Sequence, residues 1–233
     1  MYIPNIVKRH EYQNFTQINS PTGRRYEYNG MTSPSVTTIL SATADKTYLE
    51  EWKKRIGTQQ AAEITQMAAS RGTIMHHCLE YRMVGLTDPD GNAPARVMGR
   101  RMADVMQANA WPNISEVWGM EVSLAYPGLW AGNTDLVGIH DGEPAIIDYK
   151  NARKPKKREY IEDYTLQCAA YAIAHNHMYG TAIQKAVICV CVYNDSTHEI
   201  TYQEFIIKGD EFKLATNNWL NRVEQYYQQR KDQ

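Results

Sequence analysis

Asp135, Asp148 and Lys150 are the residues whose types and spacing point most directly to chemistry. They fall in one stretch, Trp130 to Lys150 (WAGNTDLVGIHDGEPAIIDYK), where Asp141-Gly142 separates two apolar, β-branched runs. Such a dipeptide between such runs is a strong signal for a two-residue hairpin. If residues 141 and 142 form the loop, facing residues have numbers summing to 283, a rule that sets Asp135 against Asp148. Facing Cβ atoms in such a pair lie about 5 Å apart. Lys150, two residues past Asp148, shares its face. Pro144, next to the turn, is the feature that could slip the register by one and separate the pair.

Two carboxylates forced together destabilise a sheet, and one of them tends to keep its proton. A divalent cation removes the conflict, because hard oxygen donors at this spacing suit Mg²⁺ or Mn²⁺. The neighbouring amine could then hold or deprotonate a water. That is hydrolytic chemistry. A D-x-K triplet alone is common on surface hairpins, but here Ala145, Ile146 and Ile147 run apolar up to the charges, as a central strand does.

The elements around this stretch follow from the remaining pattern. Residues 1–34 read as irregular, with a small hairpin at Asn29-Gly30 after the strand-like Arg24–Tyr28. Ser33-Pro34-Ser35 caps a helix from near Val36, a second helix covers Thr47 to Ile56 with Gly57 as its stop, and a long one covers 59–84. Arg71-Gly72 is a point where that long helix could break. After a loop at 86–94, residues 95–109 are again helical in composition. From Glu116 the period changes to strands: 117–126, the hairpin, then a helix from Tyr160 to Met178, strands 185–193 and 199–207, and a last helix from Glu211 to Gln229. The order predicts an α/β fold with a mixed central sheet flanked by helices. The 233 residues are expected to form a single domain: an irregular segment 1–34, a helical part 35–110 and an α/β core 116–233.

Composition sets limits. With 43% hydrophobic and 22% charged residues the chain reads as an ordinary soluble protein, and its net charge of −1 means that any nucleic-acid surface must be a local patch. No apolar run approaches the roughly 20 residues needed to span a bilayer, and the N-terminal stretch lacks a signal peptide's apolar core. A cytoplasmic location, in a bacterium or a phage-infected cell, and no membrane partner are the expectations. Cys78, Cys168, Cys189 and Cys191 show no metal-binding spacing and read as buried free thiols.

Three further groups could complete a site. Gln167 and Tyr171, four apart on the helix after the hairpin, share a face, with only Cys168, Ala169 and Ala170 between them. His76 and Glu80 are likewise four apart, but His77 competes for any role, and a lone helical histidine is more often structural. The basic run Arg153, Lys154, Lys156, Lys157 and Arg158 is either a solvated loop or a phosphate-holding segment. Some of the sixteen tyrosines and five tryptophans could stack unpaired bases, although most belong in a core.

Taken together, these motifs resemble the PD-(D/E)xK nuclease superfamily, its RecB-like branch, and within it the mitochondrial genome maintenance exonucleases and related phage exonucleases. The matching pieces are SPSVTTIL (Ser33–Leu40), RGTIMHHCLE (Arg71–Glu80), GNTD (Gly132–Asp135), IDYK (Ile147–Lys150) and QCAAY (Gln167–Tyr171), in the family's order. The resemblance implies a restriction-endonuclease-like sheet with a helical N-terminal part covering the active site. It implies that Asp135, Asp148, His76 and the Tyr149 carbonyl bind metal and that Lys150 positions the attacking water. It makes Asp135, Asp148, Lys150 and His76 the catalytic set and selects His76 over His77. It implies Glu80 and Glu121 as possible supporting acids and Ser35, Gln167 and Tyr171 as substrate contacts; Lys154, Lys156, Lys157 and Arg158 are expected to hold substrate phosphates from their place beside the site. Thr134 stands where the family's name-giving proline would be. The cysteine quartet of iron–sulfur relatives is missing, so no iron–sulfur cluster is expected. The implied function is an Mg²⁺- or Mn²⁺-dependent DNA exonuclease on single-stranded or frayed ends, working with replication or recombination proteins. An endonuclease, or a non-catalytic DNA-binding protein that keeps the fold, is the alternative.

Overall fold

The computed structural model describes residues 2–231. In chain order it contains β1 (Asn5–Ile6), β2 (Thr16–Ser20), β3 (Gly23–Tyr28), β4 (Met31–Pro34), α1 (Val36–Thr43), α2 (Thr47–Ile56), α3 (Thr58–Met83) and α4 (Pro94–Ala110). It continues with β5 (Ile114–Tyr126), β6 (Trp130–His140), β7 (Glu143–Ala152), α5 (Glu162–Tyr179), β8 (Lys185–Tyr193), β9 (Ile200–Lys208) and α6 (Asp210–Lys231).

Six strands form a mixed sheet in the order β1-β5-β6-β7-β8-β9. β5, β6 and β7 make an antiparallel meander, α5 then crosses over so that β8 lies parallel to β7, and β9 returns antiparallel. β8, KAVICVCVY, is buried at every residue, as a strand covered on both faces must be. The expected α/β architecture is therefore present. Two hydrophobic cores lie on opposite faces of the one sheet. α1, α5 and α6 close the first with residues such as Ile39, Ala169 and Trp219, and α3 and α4 close the second with Met75, Leu79 and Met106. The stretch 35–110 is thus divided between the two faces: α1 does not join the cover that α3 and α4 make.

The N-terminal 34 residues are not irregular. β2, β3 and β4 form a second, antiparallel sheet, and β1 extends the main one. Their strands are short and mostly exposed, so they lack the apolar alternation by which a strand announces itself. The hairpin at Asn29-Gly30 is present, with both residues at positive φ. α3 runs unbroken through Arg71-Gly72. A Cβ on Gly72 would lie 2.4 Å from Asn151 Nδ2, so the glycine marks a close approach of α3 to the end of β7 rather than a break. Buried Arg71 beside it donates to Asp195 at 2.9 Å and stacks on the Tyr193 ring.

Candidate active site

The β6–β7 turn is Asp141-Gly142, and positive φ at both (46° and 76°) makes it the type I′ turn that two-residue hairpins favour. The register runs from His140 opposite Glu143 to Leu136 opposite Ile147, the pairing that sets Asp135 against Asp148. Pro144 does not disturb it: facing Ile139 next to the turn, it precedes the β7–β8 ladder, which begins at Ile146. Beyond Leu136 and Ile147 the β6–β7 ladder opens. There the Tyr149 N–H donates to Asp135 Oδ2 at 2.6 Å, a side chain replacing a strand as its acceptor.

On the other edge of β6, Met120 faces Leu136 and Val122 faces Thr134, which places Glu121 across from Asp135. Glu121 has a φ of 48°, strained for a residue with a side chain and frequent at functional sites. From above, α3 brings His76, whose Nδ1 lies 3.5 Å from Asp135 Oδ1. One donor atom from each of His76, Glu121 and Asp135 lies within 4.8 Å of the others. A nitrogen and two carboxylates at that spacing suit a divalent cation. The three line a cleft together with Glu80, Leu136 and Tyr149.

Asp148 stands differently from the expectation. It is buried, and Lys150 Nζ lies 2.7 Å from both of its oxygens, with hydrogen-bond geometry to Oδ1 only. Oδ2 is left without a directed donor. As arranged, then, Asp148 engages Lys150, and Glu121 rather than Asp148 completes the cluster around Asp135. The Tyr149 group seen facing Asp135 is its amide.

The charges are graded. Burial, reinforced by the charge of Asp135, raises the Asp148 carboxyl to about 6, against the pull of Lys150. Burial also opposes ionisation of Asp135, yet His76, Lys150 and the Tyr149 amide hold it below the usual range. Two facing aspartates are thus pushed apart, one keeping its proton longer, as like charges at this spacing require. Burial would lower Lys150, but Asp148 and Asp135 hold it above its usual value, so it is an ammonium. Its Nζ also lies 5.2 Å over the Tyr164 ring. Desolvation and the charges of Asp135 and Glu80 lift Glu121 to about 7.

Gln167 and Tyr171 share the expected face of α5 and touch, Gln167 Nε2 donating to Tyr171 Oη at 3.4 Å. The Tyr171 hydroxyl packs against Gly132, where a Cβ would come within 3.0 Å of it. Ser35 is buried and its hydroxyl accepts the Thr38 N–H at 2.9 Å, so it caps α1. The basic run is largely engaged by the protein itself. Arg153 pairs with Asp195, Lys157 lies 3.8 Å from Glu159, and Gln203 ties both main-chain groups of Lys156. Arg158 is bound to Glu211 and the Ile206 carbonyl. Lys154 has no such partner among the described residues. Glu121's place in the cluster was readable from a second turn: a three-residue loop at Pro127–Leu129 sets 121 against 135 just as Asp141-Gly142 sets 148 against it.

Comparison with known proteins matches these features. Residues 95–232 fit the model of the PD-(D/E)XK nuclease superfamily. The chain is 26% identical over 220 residues to mitochondrial genome maintenance exonuclease 1 of Homo sapiens, covering 86% of this chain and 60% of that protein. The Mus musculus counterpart is 27% identical over 212 residues, covering 85% of this chain and 60% of its own length. The chain therefore spans about 60% of the length of these relatives. A solved structure from Eubacterium rectale, provisionally assigned as an exonuclease, superposes with a TM-score of 0.50 at 12% identity, covering 69% of this chain and 67% of that one. That likeness is one of fold.

Proposed function

The chain belongs to the PD-(D/E)XK nuclease superfamily, and from that membership and the geometry above we propose that it is an Mg²⁺- or Mn²⁺-dependent deoxyribonuclease. In this reading it is an exonuclease that takes single-stranded or frayed DNA ends. The observation that carries the proposal is the cluster of His76, Glu121 and Asp135 donors set beside the Asp148–Lys150 ion pair.

His76, Glu121 and Asp135 would hold the cation, with Asp148 adjacent. A bound divalent ion supplies polarisation of the scissile phosphate and a lowered pKa for water. The chain's own residues do the rest. Lys150, kept protonated, gives a positive charge and hydrogen-bond donors to a water or a phosphate oxygen, and it does not accept a proton. Asp148 fixes the lysine's position, and Tyr164 walls its other side. Tyr149's amide orients Asp135 toward His76. The two exonuclease relatives support attack from an end.

End-labelled single-stranded and duplex DNA, with the label at a known end, and a circular single strand test the reading in Mg²⁺, Mn²⁺ or EDTA. Linear single strands should shorten from one end with either metal and remain whole in EDTA, and the circle should survive. Cleavage that persists in EDTA overturns the metal chemistry, and a cut circle makes the protein an endonuclease. Lys150→Ala should abolish cleavage and leave DNA binding largely intact. A normal rate would remove the lysine from the reaction.

A further inference from the structure

Beside the candidate metal cluster runs a wider groove, lined by Arg24, Thr73 and His77 together with His76, Glu80 and Glu121. Arg24 comes from β3 of the small N-terminal sheet, an element to which sequence reading gave no part in the site. Its main chain is held firmly. The Arg24 carbonyl accepts the Ser35 N–H at 2.8 Å and the Thr38 hydroxyl at 3.0 Å. Ser35 in turn caps α1 and bridges to Ala131 of β6. Gly23, at φ +116°, allows this approach, since a Cβ there would lie 2.6 Å from Thr38 Cγ2. Arg24 is thereby fixed relative to β6, the strand that bears Asp135.

Its side chain is not engaged. Arg9, Arg71, Arg82, Arg153, Arg158 and Arg222 each pair with a carboxylate, while Arg25, Arg55, Arg96, Arg100, Arg101 and Arg230, like Arg24, show no ion pair among the described residues; Arg24 differs from these in lining the groove beside the metal cluster. Among the described residues the Arg24 guanidinium has no ion pair and donates no hydrogen bond, although Glu80 and Glu121 line the same groove. A rigidly based arginine that leaves nearby carboxylates unpaired, next to a hydrolytic site, is arranged for an anion from outside the chain. We propose that Arg24 binds a non-scissile backbone phosphate of the DNA strand whose scissile phosphate lies at the metal cluster, with Thr73 and His77 as further donors. The planar fork of a guanidinium matches two phosphate oxygens, and such a contact sets the register of the strand without reading its sequence. The motif around Ser35 then acts through Arg24: it positions the phosphate-binding residue. This inference rests on the nuclease reading above.

Binding of a dye-labelled oligothymidylate, followed by anisotropy against salt concentration in the Lys150→Ala background with Mg²⁺, tests it without cleavage. Arg24→Gln should weaken binding about tenfold and flatten the plot of log K against log salt by about 0.7, the amount for one phosphate contact on a single strand. Arg24→Lys should restore the slope and only part of the affinity. Arg25→Gln is the charge-matched control: Arg25 alternates to the other face of β3 and donates to the Thr32 carbonyl, so binding should stay within about twofold. Replacing single phosphates with neutral methylphosphonates should reveal one position, away from the cut, at which the parent protein loses affinity and Arg24→Gln does not. An Arg24→Gln protein with the parent affinity and slope, or one no weaker than Arg25→Gln, overturns the proposal. A parent protein that binds no oligonucleotide overturns the nuclease reading instead.

Discussion

His76 and His175 lie on helices that cover opposite faces of the same sheet, and their surroundings move them in opposite directions. Burial acts on both by disfavouring the charged ring. At His76 the Asp135 carboxylate 3.5 Å away overrides burial and lifts the imidazole to about 9. At His175 no carboxylate among the described residues forms an ion pair; burial, then the charge of His10, lowers it to about 3. His175 is sealed among His10, Tyr12, Trp118 and Tyr179, its Nε2 2.9 Å from the Tyr12 hydroxyl and its Nδ1 2.7 Å from Thr181 Oγ1. One pocket is built to concentrate charge and the other to exclude it. Placement against carboxylates, not burial, separates a histidine that can do chemistry from one that holds a core together.

The contrast breaks most visibly in activity. His76→Ala should cut DNA cleavage on the order of 10²–10³-fold, the size of losing one preorganised electrostatic group. The midpoint of thermal unfolding should move by only a few degrees, because the side chain is 25% exposed and its helix is anchored by Met75, Cys78 and Leu79. Steady-state cleavage beside a melting curve reads both. A fully active His76→Ala protein would make His76 as structural as its counterpart.

His175→Ala should do the reverse. It leaves a cavity among aromatic rings and strands the Tyr12 hydroxyl, at a cost of about 2–4 kcal/mol. Chemical denaturation measures that cost, and the cleavage rate per folded molecule should stay unchanged. A variant as stable as the parent would show that the pocket tolerates loss of its centre.

Much of this arrangement was legible in the sequence. The turn at Asp141-Gly142 fixed the register of Asp135 and Asp148, and the apolar run Lys185–Tyr193 marked a buried central strand. What was not legible depended on contacts between distant elements. Nothing local separates His76 from His77, since adjacent helical residues differ only in which way the helix is turned toward the sheet. The Asp148–Lys150 pairing follows from where the β6–β7 ladder opens, which leaves no compositional trace, whereas the place of Glu121 was readable from the turn at Pro127–Leu129 and only its strained φ was not. The basic run looked free because its partners, Asp195 and Glu211, lie far along the chain. Ser35 caps α1, a part that its motif did not announce, for a cap and a ligand use the same hydroxyl.

The smallest expected effect lies in acid stability, and it isolates the His175 pocket. Thr181 gives its hydroxyl proton to Asn176, so it accepts from Nδ1–H of a neutral ring, and Tyr12 donates to Nε2. Protonating Nε2 would reverse that second bond, leaving the Tyr12 hydroxyl proton to find another acceptor, inside a pocket without a counter-ion among the described residues. In the unfolded chain the same imidazole takes up its proton near its ordinary value of about 6.5. Between about 6.5 and the folded value of about 3 the unfolded state therefore binds more protons, and stability falls as pH falls. The slope from this one group is at most about 1.4 kcal/mol per pH unit. Carboxylates such as Asp88 and Asp195, held below their usual range by arginines, add acid sensitivity of the same sign at lower pH. Comparison of variants removes their contribution. His175→Gln should be less stable than the parent at neutral pH, yet its denaturation midpoint should change less from about pH 6.5 downward, so that the two curves converge. Parallel curves across that window would mean that His175 carries the same proton count folded and unfolded, and the contrast with His76 would then rest on geometry alone.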